Sequence, residues 1–358
     1  MKIGIVGMSN LFLMPYLFIY TRFLQKKDID FDVIYWNRRD LDEKADFNTY
    51  PYNVKIKDSS TKVAKLKDFL GYTQFVKRIL KLNNYDFIIV LTSLPAVLLS
   101  DFLCKNHSGN YIIDVRDYTY EHIFVYNKLL EKALSNSALN VISSPGFIEL
   151  LPYKHAVLCH NLSFSNDGNK AIRSSQSRNV NPIRVSYVGC IAYYNQCLKF
   201  INAIANDIRF EFHLYGIGDY NFKIEKYCED ERITNVFMHG AYQPEEKEAI
   251  YRKTDIIFNA YGNGSNLLKY ALSNKFYDAA WYNIPILVMH DTEMRVHSKS
   301  LSFPIACDVT DLANEIYQWY ESIDWQVFQS DAQTIIDKAY SDNEKFYTTL
   351  NSLFTRGI

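Results

Sequence analysis

Ser273-Asn274-Lys275-Phe276-Tyr277-Asp278 is the stretch of this 358-residue chain whose residue types and spacing point most directly to chemistry. Ser273 or Asn274 suits the N-cap of a helix, and the free amides of a helix start attract a diphosphate. Lys275 puts a positive charge in the first turn, where the helix dipole disfavours one, and a bound anion resolves that conflict. Asp278, one turn further on the same face, is placed to accept hydrogen bonds from ribose hydroxyls. The competing reading is an ordinary solvated helix start.

Three apolar runs upstream end in glycine: Tyr187-Val188-Gly189, His213-Leu214-Tyr215-Gly216-Ile217-Gly218 and Val236-Phe237-Met238-His239-Gly240. Glycine lets backbone approach a ligand closely. The alternative is that three strand-to-helix turns need it for steric reasons alone. Gly4-Ile5-Val6-Gly7-Met8-Ser9 closes an earlier run but is not the full dinucleotide fingerprint, and no acidic residue follows at about 20 residues. Asp28-Ile29-Asp30-Phe31-Asp32 and Asp40-Leu41-Asp42 have the acidic spacing of metal-dependent transferases, but solvated turns explain them better. The eight histidines show no zinc-binding spacing, and Ser143-Ser144-Pro145-Gly146 lacks the frame of a nucleophilic serine elbow. Six single cysteines without paired spacing read as free, mostly buried thiols in a reducing compartment. No metal and no cofactor is expected.

Positioning these residues requires strands that end beside helix starts. Short apolar runs at Lys2–Gly7, Phe31–Trp36, Phe87–Leu91, Tyr111–Ile113, Leu139–Ser143 and Ala156–Cys159 predict strands. Helices are predicted at Leu11–Lys26, at Thr61–Leu82 with a break at Gly71, and at Pro95–Cys104. Asn161 to Pro182 is polar and without period, the best domain boundary. The alternation then restarts, with strands at Ile183–Val188, Phe210–Tyr215, Val236–His239, Ile256–Phe258 and Ile284–Met289. Helices are predicted at Leu198–Ala205, Glu245–Tyr251, Lys275–Tyr282, Leu312–Tyr320 and Ala332–Phe354. Such alternation implies crossover connections, hence α/β architecture with two doubly wound parallel-sheet domains facing each other across a cleft. Residues 1–165 form the first, 166–181 the linker and 182–358 the second, with the last helix able to pack back on the first.

The 39 basic and 40 acidic residues nearly cancel, so whole-chain charge gives no reason to expect a nucleic-acid partner. The balance conceals a basic stretch. Lys55, Lys57, Lys62, Lys65, Lys67, Lys77, Arg78 and Lys81 face only Asp58 and Asp68. Val63, Leu66, Phe69, Leu70, Phe75, Val76, Ile79 and Leu80 recur among them at near-helical spacing. Residues 55–81 therefore read either as a helix packed on the first domain or as a peripheral contact with an anionic membrane. Gly4, Gly7 and Ser9-Asn10 interrupt the first apolar run, which argues against a signal peptide. The longest apolar stretches fall short of the ~20 residues that span a bilayer. A cytoplasmic protein, with peripheral contact at the inner face of the membrane, is expected.

The glycine-ended strands, the Tyr215-Gly216-Ile217-Gly218 and His239-Gly240 turns, and Asn274-Lys275-Phe276-Tyr277-Asp278 followed by Ile284-Pro285-Ile286 resemble the nucleotide-binding domain of GT-B glycosyltransferases. The likeness is to glycosyltransferase family four, in its bacterial capsule and O-antigen members. Asp114-Val115-Arg116-Asp117 and Val157-Leu158-Cys159-His160-Asn161 resemble first-domain segments of the same family, so the likeness spans nearly the whole chain.

The resemblance implies a metal-independent, retaining transfer of a sugar from a UDP- or GDP-sugar to a hydroxyl of a surface-polysaccharide precursor. The acceptor is a glycan or a lipid-linked glycan. Base and ribose would lie near Gly216, Gly218, His239, Gly240 and Asp278. The diphosphate would meet Ser273, Asn274, Lys275 and the Gly189 turn. Asp117 and His122 would contact the reacting sugar as catalytic residues, with Gly7 and Arg116 also on the binding side. This chain departs from the family at three places. Asp278 matches the second of two glutamates, but the first position is Tyr270, and the usual arginine and lysine after the first glycine are Cys190 and Asn195. Lys269, Lys275, Arg295 or Arg116 could supply the missing charge. The departures leave open a non-catalytic nucleotide-sugar-binding homologue or partner subunit of an active transferase, and, further off, another GT-B enzyme such as a sugar-nucleotide epimerase.

Overall fold

The computed structural model describes residues 1–55, 62–118, 120–162, 182–306 and 311–355. Its contacts divide into two compact units, Met1–Asn161 with Ser341–Ile358, and Leu162–Tyr340. Residues 166–181, expected as linker, lie outside the described residues.

The first unit runs β1 (Lys2–Gly7), α1 (Leu17–Lys26), β2 (Asp30–Trp36), β3 (Asn48–Tyr52), α2 (Lys62–Asn83), β4 (Phe87–Leu91), α3 (Ser93–Asn106), β5 (Tyr111–Val115), α4 (Phe124–Ser135), β6 (Leu139–Ile142), α5 (Phe147–Leu150) and β7 (Val157–Leu158). Its seven strands are all parallel, in the order β3-β2-β1-β4-β5-β6-β7. Ile3, Ile5, Val33, Ile89, Leu91 and Ile112 have no exposed surface and form the centre of its core.

The second unit runs β8 (Ile183–Val188), α6 (Tyr194–Ile204), β9 (Phe210–Tyr215), α7 (Asn221–Asp230), β10 (Val236–Gly240), α8 (Lys247–Arg252), β11 (Ile256–Phe258), α9 (Asn266–Tyr270), α10 (Asn274–Tyr282), β12 (Ile286–Met289), α11 (Glu293–Ser298), β13 (Ser302–Ile305), α12 (Leu312–Glu321) and the start of α13 (Trp325–Thr355). Its six parallel strands follow the order β10-β9-β8-β11-β12-β13. Along β8 the side chains alternate. Ile183, Val185 and Tyr187 pack into one layer and Val188 into the other, so both faces of the sheet are covered. The last turns of α13, residues 341–355, were grouped by sequence with 182–358. They pack on the first unit through Phe346, Leu350 and Phe354.

Strand order reverses between β1 and β4 and between β8 and β11. In open α/β sheets such reversals leave a crevice at the carboxyl ends of the strands, where ligands bind. Gly7 and Gly189 stand at those two points.

Several elements differ from the sequence expectation. The helix expected at Leu11 begins at Leu17, because Pro15 restricts the chain and only a single 3₁₀ turn, Leu11–Leu13, precedes it. α2 passes through Gly71 unbroken, and a side chain there would collide with the Tyr52 hydroxyl. β3 has no apolar run and contains Pro51, as suits an edge strand. α7 is so rich in charge that only Ile224 and Cys228, one turn apart, are buried.

Candidate functional site

At the reversal point of the second unit, Gly189 and Gly216 both have positive φ, 128° and 137°. The Gly189 amide donates to the Tyr215 carbonyl at 2.8 Å, and the Gly216 amide donates to the Gly240 carbonyl at 2.7 Å. A Cβ on Gly216 would stand 1.8 Å from the Gly189 carbonyl oxygen, and one on Gly218 would stand 1.9 Å from that of Ile191. The steric reading therefore accounts for Gly216 and Gly218: two strand-end loops are stacked backbone on backbone. Around Gly240 nothing comes within 4 Å of such an atom, so there the space is open.

α10 begins beside Gly189. Ser273 is its N-cap residue, but no side chain caps the helix. The Ser273 hydroxyl is turned away and donates to Oδ1 of the fully buried Asn259 at 2.9 Å. Lys275 Nζ reaches to 3.1 Å from where a Gly189 Cβ would be. It lies 5.7 Å from the centre of the Tyr187 ring and 5.5 Å from that of Tyr261. Among the described residues no hydrogen bond or ion pair holds this ammonium. Burial pushes its pKa down to about 8, with Lys247 adding to the fall and Asp278 opposing it. Two aromatic faces, rather than a carboxylate, stabilise the charge.

Asp278 is 1% exposed. It accepts from Lys247 Nζ at 2.9 Å and from the Tyr251 hydroxyl at 2.9 Å. The sequence expectation placed it facing a ribose. The structure places it in a buried pair between α10 and α8, with Lys247 the partner nearer solvent. Lys247 was missed. Its place at a helix start rich in glutamate reads in sequence as a solvated face, and only the fold of α8 against α10 turns it inward.

His239, next to last in β10, stacks on Tyr215 with ring centres 4.1 Å apart and planes 5° apart. Its Nε2 lies 2.9 Å from His213 Nδ1, and His213 Nε2 lies 3.1 Å from Glu211 Oε2. Of the substitute cations, Arg295 donates to the Lys299 carbonyl and the Ser302 hydroxyl, bracing the turn between α11 and β13. Cys190 is exposed beside Gly189.

In the first unit, Gly7 closes β1. Its carbonyl accepts from the Tyr72 hydroxyl, and an added Cβ would strike the Met14 sulfur. Arg116 follows β5 but its donors are engaged internally. Nε and Nη2 bind the fully buried Asp114 at 2.6 and 2.8 Å, and Nη1 binds the Cys159 carbonyl at 2.8 Å. Asp117, the next residue and two past the end of β5, is different. Its Oδ1 is buried and, among the described residues, has no hydrogen-bond partner. Burial, then Glu121 and Asp114, push its pKa up to about 6. Glu121 is itself buried and accepts from the Ser93 hydroxyl, which also meets the Tyr126 hydroxyl at 2.8 Å. Arg38 Nε is likewise buried without a partner, its guanidinium 4.8 Å from the Trp36 ring. Both Arg38 and Asp117 act electrostatically on the Tyr16 hydroxyl, whose pKa burial raises. Arg38 and Glu121 were missed by sequence, since neither belongs to a motif. His122 is exposed in the loop before α4.

Asp32 of the acidic spacing is a core residue, paired with Lys2 at 2.9 Å and bonded by Tyr85 and Asn48. Among the described residues no cluster of three or more His, Cys, Asp and Glu could hold a metal ion. Of the basic stretch, residues 56–61 lie outside the described residues. In α2, Tyr72, Val76, Ile79 and Leu80 are buried, whereas Leu66 and Leu70 are 57% and 53% exposed. Among the described residues no helix is long and apolar enough to cross a membrane.

No family model matches the sequence, and no curated protein does. Solved structures do match along the whole chain. Sucrose-phosphate synthase from Thermosynechococcus elongatus aligns with a TM-score of 0.72 at 11% identity, over 99% of this chain and 100% of its own. Anabaena HepE in complex with UDP and glucose aligns with a TM-score of 0.69 at 15% identity, over 98% and 100%. WaaG, a glycosyltransferase involved in lipopolysaccharide biosynthesis, aligns with a TM-score of 0.66 at 12% identity, over 97% and 98%. With two parallel α/β units of seven and six strands and these neighbours, the chain has the GT-B fold.

Proposed function

We propose that the protein is a glycosyltransferase that takes a sugar from a nucleotide-sugar donor and passes it to a hydroxyl of a glycan or lipid-linked glycan. The observation that carries this reading is Lys275. An ammonium that no carboxylate among the described residues pairs, held against Gly189 at the uncapped start of α10, is a place built for a diphosphate. The neighbour HepE, crystallised with UDP and glucose, supports it.

In this reading Gly189, Ser273, Asn274 and Lys275 hold the diphosphate. Gly216, Gly218, His239 and Gly240 flank base and ribose, with Asp278 acting through Lys247. The bond between the anomeric carbon and the phosphate oxygen breaks, and the electron pair leaves with the diphosphate. A new bond forms to the acceptor oxygen, whose proton passes to the Asp117 carboxylate. Lys275 stabilises the charge that develops on the leaving group. Asp117, with an oxygen that no described residue bonds, suits the acceptor side, as do His122 and Gly7 of the same unit; Arg116 serves by fixing Asp114 rather than by reaching substrate. Retaining stereochemistry and metal independence belong to the same proposal. So does a cytoplasmic protein resting on anionic membrane through α2, where Leu66 and Leu70 are exposed beside Lys67.

Calorimetric titration with UDP and GDP tests the reading: binding is expected, and its loss in Lys275→Met. No binding by either nucleotide would overturn it. Flotation with anionic and neutral vesicles tests the membrane contact, which salt-insensitive or absent binding removes. Cys190 and Asn195 favour a second reading, a homologue that binds the nucleotide sugar without turning it over. Binding without hydrolysis or transfer of any donor would establish that one.

A further inference from the structure

The chain Glu211–His213–His239 fixes where its protons lie. A carboxylate only accepts, so His213 Nε2, 3.1 Å from Glu211 Oε2, carries a hydrogen. A neutral imidazole has one N–H, so His213 Nδ1 is then bare. The 2.9 Å contact to His239 Nε2 is made by a hydrogen on His239. That leaves His239 Nδ1 as an acceptor, and no side chain among the described residues bonds it. Burial favours the neutral rings, lowering the pKa of both histidines. For His213, Arg184 of the neighbouring strand adds to the fall and Glu211 and Asp255 oppose it. For His239, His213 and Lys253 add to it.

The acceptor is also held in a plane. His239 lies flat on Tyr215, and His213 lies between Phe237 and His239, with ring centres 4.9 and 5.2 Å away. A register shift between Met238 and Gly240 leaves His239 out of the pairing, and His239 itself is exposed near the strand end. A flat aromatic platform with one acceptor in its plane fits a heterocycle with a ring N–H. The imide N–H of uracil and the lactam N–H of guanine are stronger donors than the exocyclic amine of cytosine or adenine.

We propose that His239 Nδ1, its tautomer set by His213 and Glu211, accepts the ring N–H of the donor's base, so that the protein selects uridine or guanosine diphosphate sugars over cytidine and adenosine ones. This rests on the nucleotide-sugar reading above and deepens it. Protonation of His213 in acid reverses the chain: His213 then donates at Nδ1, and His239 turns from acceptor to donor. The same ligand is then repelled.

The test uses the full-length protein labelled with ¹⁵N-histidine and four probes: UDP, N3-methyl-UDP, GDP and CDP. The free protein at pH 7.5 should show both rings as Nε2–H tautomers. UDP should bind about tenfold or more tighter than N3-methyl-UDP, with GDP ranking above CDP, and should perturb His239 Nδ1. UDP affinity should fall between pH 7.5 and 5. His239→Phe, which keeps the stack on Tyr215, should make UDP and N3-methyl-UDP equal. Equal binding of UDP and N3-methyl-UDP by the unaltered protein, or a hydrogen on His239 Nδ1 in its free state, overturns the proposal alone. Failure of all four diphosphates to bind overturns the nucleotide-sugar reading and this proposal together, while leaving the tautomers observable.

Discussion

Lys247 Nζ and the Asp278 carboxylate meet at 2.9 Å, and Asp278 is 1% exposed while Lys247 keeps part of its surface in water. A carboxylate on α10 is thus held from α8, with the Tyr251 hydroxyl as its second donor. Removing one partner of such a pair leaves a buried charge with too few donors, at a cost near 3 kcal/mol. Lys247→Met should lower unfolding free energy by about that amount in urea denaturation. Asp278→Asn should cost less, because an amide accepts from Tyr251 and leaves Lys247 free to turn to water. If Asp278 also serves the donor, its Asn variant loses UDP affinity beyond anything the stability loss explains.

Lys275 is the opposite case, a partly buried cation that no carboxylate among the described residues pairs. Its folded pKa of about 8 lies below the value near 10.4 of an unfolded chain. Between those values the unfolded state binds more protons, so stability rises as pH climbs from 8 to about 10.5. Below 8 the full penalty applies. Lys275→Met should therefore stabilise the free protein by about 1–2 kcal/mol at pH 7, after allowance for solvent screening. That gain should vanish above about pH 10. The same substitution should weaken UDP binding about tenfold to a hundredfold. In the unaltered protein, affinity for UDP should fall as pH rises through 8. A stabilised variant that binds less is the signature of a site strained toward its ligand.

The sheets were legible in the sequence because their central strands are short runs dominated by apolar residues. Phe87–Leu91 is buried on both faces and announces it, and in Ile183–Val188 only Arg184 is exposed. Elements whose order comes from neighbours rather than composition were not. β3 is an edge strand with proline, and α7 carries only two buried residues. The site divides in the same way. Lys275 and the glycines stand in local motifs that a reader of sequence can weigh. The positions of Lys247, Glu121 and Arg38 are made by tertiary packing, and each is surrounded in sequence by charged or polar residues that look solvated. Arg116 looked like a free cation for the same reason. Its engagement depends on Asp114, two residues back in β5 and fully buried, where any charge must find a partner.

Gly216 and Gly240 look alike in the sequence and should behave differently. A methyl group on Gly216 would enter the Gly189 carbonyl oxygen, and φ there is 137°. Backbone must move to admit it, so Gly216→Ala should cost about 2–4 kcal/mol and disturb the Gly189 turn that carries the proposed diphosphate. Gly240 has φ 71° and open space around it. Gly240→Ala should cost only the left-handed penalty of about 1 kcal/mol, and Gly240→Asn less. Thermal denaturation of the three variants ranks them. Equal loss at both positions would mean that the loops are not stacked as described.

Asp117 holds a buried oxygen without a partner and a folded pKa of about 6, against about 3.9 in an unfolded chain. The folded state therefore binds more protons between pH 4 and 6, and the stability this residue contributes is present below about 4 and lost as pH rises through 6. Asp117→Asn should stabilise the protein by about 1–2 kcal/mol at pH 7 and leave it unchanged at pH 3.5. If the ionised carboxylate takes the acceptor's proton, the unaltered protein's rate of transfer should climb through pH 6 and level above it. Asp117→Asn should then lower kcat by about 100-fold or more with little change in donor affinity. Glu121→Gln supplies the control. It removes a neighbouring negative charge without touching substrate, so the midpoint of the climb should move to lower pH while the plateau rate holds. A plateau that falls with an unmoved midpoint would mean that Glu121 only props up the loop through Ser93, and that Asp117 owes its proton affinity to burial alone.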